Sequence, residues 1–146
     1  MARNFSIEDG NLFTTPITST RTKEYKDIDL AFLNRPSGDI YKKTDAAAVK
    51  QAIKNLLMTN RFEKPFKPNF GGGLNEFLFS LSTEFDEIDI QERIFDVIES
   101  YEPRAKVQRV DVSLMPDNNY VNVKVVFQVI STREVVELTL SLVRLR

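Results

Sequence analysis

The sequence contains no cysteine and no histidine. Without cysteine there is no disulfide framework and no thiolate metal site. Without histidine the chain lacks Ser-His-Asp and Cys-His triads, the usual zinc ligands and the commonest general base. It also lacks an excess of either charge: twenty basic residues face twenty-one acidic ones, a net −1. A protein that lives on nucleic acid normally carries a basic surplus, so that class is demoted. No run approaches the roughly eighteen apolar residues of a membrane span, and the amino terminus lacks the apolar stretch of a signal peptide. The expectation is a soluble protein made in a reducing compartment, with no metal and no cofactor. What the chain does have is ordinary globular material: 146 residues, 42% hydrophobic and 28% charged, enough for one core without staples.

Two hydrophobic periods organise the chain. Residues 1–26 show neither; they are rich in threonine and serine, with Phe5, Ile7, Leu12, Phe13 and Ile17 scattered among them. They read as an amino-terminal extended arm lying on its own domain or on a neighbour, with a fraying terminus as the alternative. Residues 27–146 read as a single domain. Ile28, Leu30 and Phe32 alternate with polar or small residues, as in a short strand, and Arg35 to Gly38 punctuates the chain. Thr44 or Asp45 can cap a helix whose apolar stripe is Ala46, Val49, Ile53, Leu56 and Leu57, with Lys50, Gln51 and Lys54 on the other side and an end near Thr59-Asn60. A loop with Pro65, Pro68 and three glycines leads to a short stripe of Leu74, Phe77, Leu78 and Leu81. Ile90, Ile94, Val97, Ile98 and Tyr101 give a third helix, stopped by Pro103.

The period then changes to two. Val110, Val112 and Leu114 alternate up to a turn at Pro116 to Asn119, and Val121, Val123, Val125, Phe127 and Val129 follow. After Ser131-Thr132-Arg133 come Val136, Leu138, Leu140 and Leu142. Three such strands with short turns predict an antiparallel meander, and its polar second face leaves one face for the helices, an α+β fold. The last strand is expected at the sheet's edge, where unpaired backbone groups template another chain. The alternative is that residues 1–26 cover it.

Four features have chemical content. Seven basic residues between Lys42 and Lys67 face eight acids between Glu84 and Glu102. They suit docking between unlike neighbours, or are solvated helix faces that face each other internally. Gly71-Gly72-Gly73 before a short helix could cradle an anion, but no Lys-Ser or Lys-Thr follows, so a flexible turn or helix entry is the better reading. Paired carboxylates suffice for a glycosidase, yet those between Glu84 and Glu102 fall mostly on a solvent face. In Tyr101-Glu102-Pro103-Arg104 the proline forces an extended path, so Glu102 and Arg104 project on one side, and arginine there is a five-donor fork for carboxylates or carbonyls. A plain helix stop is the alternative.

The helix Asp45…Val49…Ile53-Lys-Asn55-Leu56-Leu57-Met-Thr59 is followed by Arg61, Pro65 and Phe70-Gly71-Gly72. Leu74…Leu78-Phe79, an acidic helix, and Glu102-Pro103-Arg104 at the head of a terminal meander complete the series. From about Asp27 to Arg146 this resembles the baseplate wedge and sheath-initiator family of contractile phage tails. That family takes in the T4-type wedge subunit once called a tail lysozyme, the W-type protein and a type VI secretion relative. The chain departs from it at Asn60-Arg61-Phe62-Glu63, where many members carry a Gly-Glu-Arg-like turn. The resemblance implies structural work without enzymatic activity, in a tail baseplate of the virion assembled in the host cytoplasm. Glu102, Pro103 and Arg104 are expected to dock on the wedge's helical core bundle. The last strand, with Val136, Leu138, Leu140, Leu142 and Arg144, is expected to pair with strands of the tail sheath protein. Implied partners are other wedge subunits, the sheath and tail tube or hub proteins, with six copies per baseplate and neither nucleic acid nor membrane. On this reading Arg104→Ala weakens docking and leaves the isolated fold intact. The rival is a peptidoglycan-cleaving carboxylate hydrolase.

Overall fold

A computed structural model of the chain describes residues 25–33, 36–79, 87–115 and 120–143. Where the hydrophobic period is 3.6 the chain is helical: α1 (Asp45–Met58), α2 (Leu74–Phe79) and α3 (Glu87–Tyr101). Where it is two the chain is extended: β3 (Ala105–Met115), β4 (Tyr120–Val129) and β5 (Val135–Val143). Two short strands, β1 (Lys26–Ile28) and β2 (Lys42–Thr44), pair antiparallel ahead of α1. The predicted arm of residues 1–26 lies outside the described residues up to residue 24, as do Leu81, the turn at Pro116 to Asn119, and Arg144.

The large sheet has the order β3-β4-β5, antiparallel throughout, which is the expected meander. Its inner face carries Val112, Val121, Val123, Val125, Phe127, Val129, Leu138, Leu140 and Leu142, all buried. Against them pack Val49, Ile53 and Leu57 of α1, Leu74 of α2, and Ile90, Ile94 and Ile98 of α3. Each such side chain contributes about 1.5–3 kcal/mol by leaving water. On the outer face, Lys124 and Glu137 pair at 3.0 Å and the Tyr120 hydroxyl donates to Ser141 Oγ at 2.9 Å. The molecule is thus two layers, helices on one side of a one-sided sheet.

Strand β3 begins earlier than the alternation at Val110 suggests. Ala105 and Val107 already pair with Val129 and Phe127, and the register slips between Val107 and Arg109. Gln108 is the extra residue of a bulge. The bulge moves the inward set from odd numbers (Ala105, Val107) to even ones (Val110, Val112, Leu114), so the strand looks shorter in the sequence than it is.

Three local expectations change. The alternation of Ile28, Leu30 and Phe32 is extended strand only as far as Ile28; Leu30 and Ala31 lie in a turn and Phe32 takes φ +49°. Gln51 is not on the solvent side of α1 but buried at 8% exposure. Its Nε2 donates to the Ile28 carbonyl at 2.8 Å, and its Oε1 accepts from Lys43 Nζ at 2.8 Å and the Leu30 amide at 3.4 Å. Lys43 also reaches Asp29 at 3.0 Å. One amide therefore fastens the β1-β2 ribbon onto α1. Nor does Thr44 cap α1 with its side chain. The Asp45 carboxylate instead accepts the Tyr25 amide at 3.1 Å, while the Asp45 amide donates to Tyr25 O at 2.7 Å.

Candidate functional site

Three places carry the expected site: the Glu-Pro-Arg turn, the glycine run and the two margins of the sheet. At the turn, α3 ends because Pro103 cannot continue it, and the Glu102 amide closes the last turn on Ile98 O at 2.8 Å. The Glu102 carboxylate is buried and is gripped at both oxygens by Arg104, Nε at 2.6 Å and Nη2 at 2.7 Å. The guanidinium also sits over the Tyr25 ring, 5.4 Å from its centroid. The hydrogen bonds to Glu102 hold the Arg104 pKa above its ordinary value, against the pull of partial burial. The fork therefore does find a carboxylate, within its own turn. Arg104→Ala would leave a buried carboxylate unpaired, so a cost to the isolated fold is expected beside any loss of docking. What the turn presents outward is apolar. Exposed Pro103 lines a cleft of about 340 Å³ with Phe95, Glu99, Lys106, Val107 and Ile130. Phe95 is 40% exposed and Ile130 56%.

Of the two readings offered, the glycines are the helix entry: α2 starts directly after Gly73, whose carbonyl accepts the Glu76 amide at 3.0 Å. All three are buried; the Gly72 amide donates to Leu56 O at 3.0 Å and the Gly73 amide to Thr59 O at 3.2 Å. A Cβ on Gly72 would lie 3.0 Å from Leu57 Cα, and one on Gly71 would collide with the Thr59 carbonyl oxygen. The run satisfies the last carbonyls of α1 at close range. Arg93, the lone base among the acids of α3, locks it from the far side: Nε donates to Gly72 O at 3.2 Å and Nη2 approaches Glu76 at 3.5 Å. Burial pushes the Arg93 pKa below its ordinary value, with the nearby Arg61 charge adding to it. Its role was not legible, since its partners are a backbone carbonyl and a residue on another helix.

The acids of α3 (Glu87, Asp89, Glu92, Asp96, Glu99) are exposed, as are Lys42, Lys50, Lys54, Arg61, Lys64 and Lys67. Apart from buried Glu102 and half-buried Lys43, the described members of the two charge groups are solvated surfaces rather than a buried contact.

The two margins of the sheet differ. On β3 the bulge at Gln108 kinks the strand, and the Leu114 amide, turned away from β4, is taken by Glu87 Oε1 at 3.0 Å. Among the described residues β5 has no such bond. Alternation from the bond between the Val129 amide and Glu134 O, 2.9 Å, turns the amides of Val135, Glu137, Thr139, Ser141 and Val143 away from β4. Among the described residues nothing bonds to them. The side chains of Val136, Leu138, Leu140 and Leu142 face the helices, half-buried at Val136 and buried at the others. They belong to the chain's own core, so this margin offers backbone.

Comparison with known proteins agrees with this architecture. Residues 43–134 match the protein family described as baseplate wedge protein gp25. The baseplate wedge protein gp25 of Enterobacteria phage T4 is 26% identical over 115 residues, 79% of this chain and 87% of that one. A crystal structure from Geobacter sulfurreducens, described as a candidate tail lysozyme, superimposes with a TM-score of 0.57 at 21% identity, over 67% of this chain and 89% of that one. A chain of the six-fold symmetrised anti-feeding prophage baseplate gives 0.56 at 19% identity, over 82% of this chain and 86% of that one. At such identities the two structures show a shared fold and no more. With its match covering well over half its length, this chain belongs to the baseplate wedge protein family, structural components of the tail baseplate of the virion.

Proposed function

We propose that the chain is a non-enzymatic adaptor that seats the first ring of the tail sheath by adding a foreign strand to β5. The observation behind this is the asymmetry of the margins. β3 is bulged and has its Leu114 amide taken internally, whereas the outward amides of β5 are unbonded among the described residues. Each main-chain bond adds only about 0.5–1.5 kcal/mol net, so several in register are needed. Repetition around a six-copy ring adds avidity to each weak contact. On the opposite side, the apolar surface of Phe95, Pro103 and Ile130 beside the Glu102-Arg104 clasp suits docking on the helical core bundle of the wedge. The clasp then sets the path of the turn, and Pro103 makes the contact.

Thr139→Pro tests the strand addition. Proline there removes an outward donor and no bond to β4, and edge positions tolerate it. The expected result is a folded protein that enters purified baseplates and fails to start sheath assembly. Sheath of normal length on Thr139→Pro baseplates would overturn the reading. The hydrolase reading has less support: Glu102 is the one buried carboxylate among the described residues, and both its oxygens are held by arginine. Zymography on clean protein decides it.

A further inference from the structure

Beside the β5 margin lies a slot of about 480 Å³, walled by α1, by residues 29–31 and by Leu138 of β5. Leu30, Ala31, Ala47 and Leu138 supply its apolar lining. Its charged lining is Lys43, Lys50 and Lys54 with the single acid Asp29. Lys43 is committed to Asp29 and Gln51. Lys50 and Lys54 are exposed, one helical turn apart on one side of α1, and pair with nothing among the described residues. A strand laid along β5 would run about 4.8 Å from it, and its side chains on the helix side would enter this slot under the two ammonium groups. We infer that β5 selects its partner by charge: the segment it accepts, from another protein chain, presents an apolar residue flanked by acidic residues on the face turned toward α1, paired with Lys50 and Lys54. This rests on the proposed pairing at β5 and adds the chemistry of the incoming strand. Backbone bonds alone accept any extended sequence, so the lysines supply the discrimination.

The test uses the full chain and two blocked synthetic peptides. In one peptide a face alternates valine with glutamate and the other face is threonine; in the second, lysine replaces glutamate. Affinity is read by NMR titration and contact by hydrogen exchange of the β5 amides. The glutamate peptide should bind about tenfold more tightly, two partly exposed ion pairs being worth roughly that much. The preference should shrink with salt, vanish in Lys50→Gln/Lys54→Gln and reverse in Lys50→Glu/Lys54→Glu. If both peptides protect the β5 amides with equal affinity, the charge selection is wrong while the strand addition stands. If neither peptide touches those amides, the strand addition fails and takes the selection with it. Protection of the outward amides before any peptide is added would mean that the chain's own leading residues fill the slot, which overturns the proposal.

Discussion

Arg104 and Glu102 clasp each other across Pro103 through two hydrogen bonds of 2.6 and 2.7 Å, with the carboxylate buried and the guanidinium one-third exposed. A pair so placed fixes the exit of α3 and the start of β3, and with them the apolar surface at Phe95 and Ile130. Arg104→Ala strands the carboxylate and is expected to cost about 2–3 kcal/mol in urea unfolding. Arg104→Lys should recover only part of this, because an ammonium cannot form the two-pronged bond. Replacing Glu102 by Gln in the Arg104→Ala background should lessen the loss. Equal stability of Arg104→Ala and the parent would contradict the clasp.

Gly71 adopts φ +113°, and a Cβ there would run into the Thr59 carbonyl oxygen. Gly71→Ala should therefore destabilise by about 2–3 kcal/mol, from strain and overpacking together. Gly38, also at positive φ, has no atom of the described residues within 4 Å of an added Cβ. Gly38→Ala meets the backbone cost alone, so thermal melts of the two variants separate the terms.

Gln51 holds β1 and β2 against α1. Gln51→Leu keeps the size and removes the partner of the Ile28 carbonyl and of Lys43. A loss of about 1–2 kcal/mol is expected, with faster amide exchange confined to β1 and β2. Uniformly faster exchange across the large sheet would argue against a local role.

The Asp29 carboxylate accepts the Ala31 amide and lies beside Lys43, and these hold its pKa below the ordinary 3.8. Its contribution is thus fully present above about pH 3.8 and is lost as pH falls through the depressed folded value. Amide exchange in β1 should accelerate in that acid range before the large sheet responds. Asp29→Asn should remove the pH step. A step that persists in Asp29→Asn assigns it to another group.

Much of the fold could be read from the chain because helix and strand periods are local. The stripe Ile90, Ile94, Val97, Ile98 defined α3, and the alternation from Val121 to Val129 defined β4, before any contact was known. The bulge at Gln108 leaves a trace as well, a spacing of three from Val107 to Val110 in a strand otherwise of period two.

The sequence by itself determined the three helices, the three strands of the meander and which face of each is apolar, since these follow from backbone geometry and side-chain spacing; the β1-β2 ribbon and the early start of β3 left no such period. Only the tertiary structure decided the partners of the polar groups: Gln51 turned inward to β1, Arg93 reached across to Gly72, and Arg104 turned back on Glu102. It also showed that the Leu114 amide on the β3 margin is taken by Glu87. A hydrogen bond between residues some twenty positions apart leaves no period in the chain, because it depends on how whole elements are brought together.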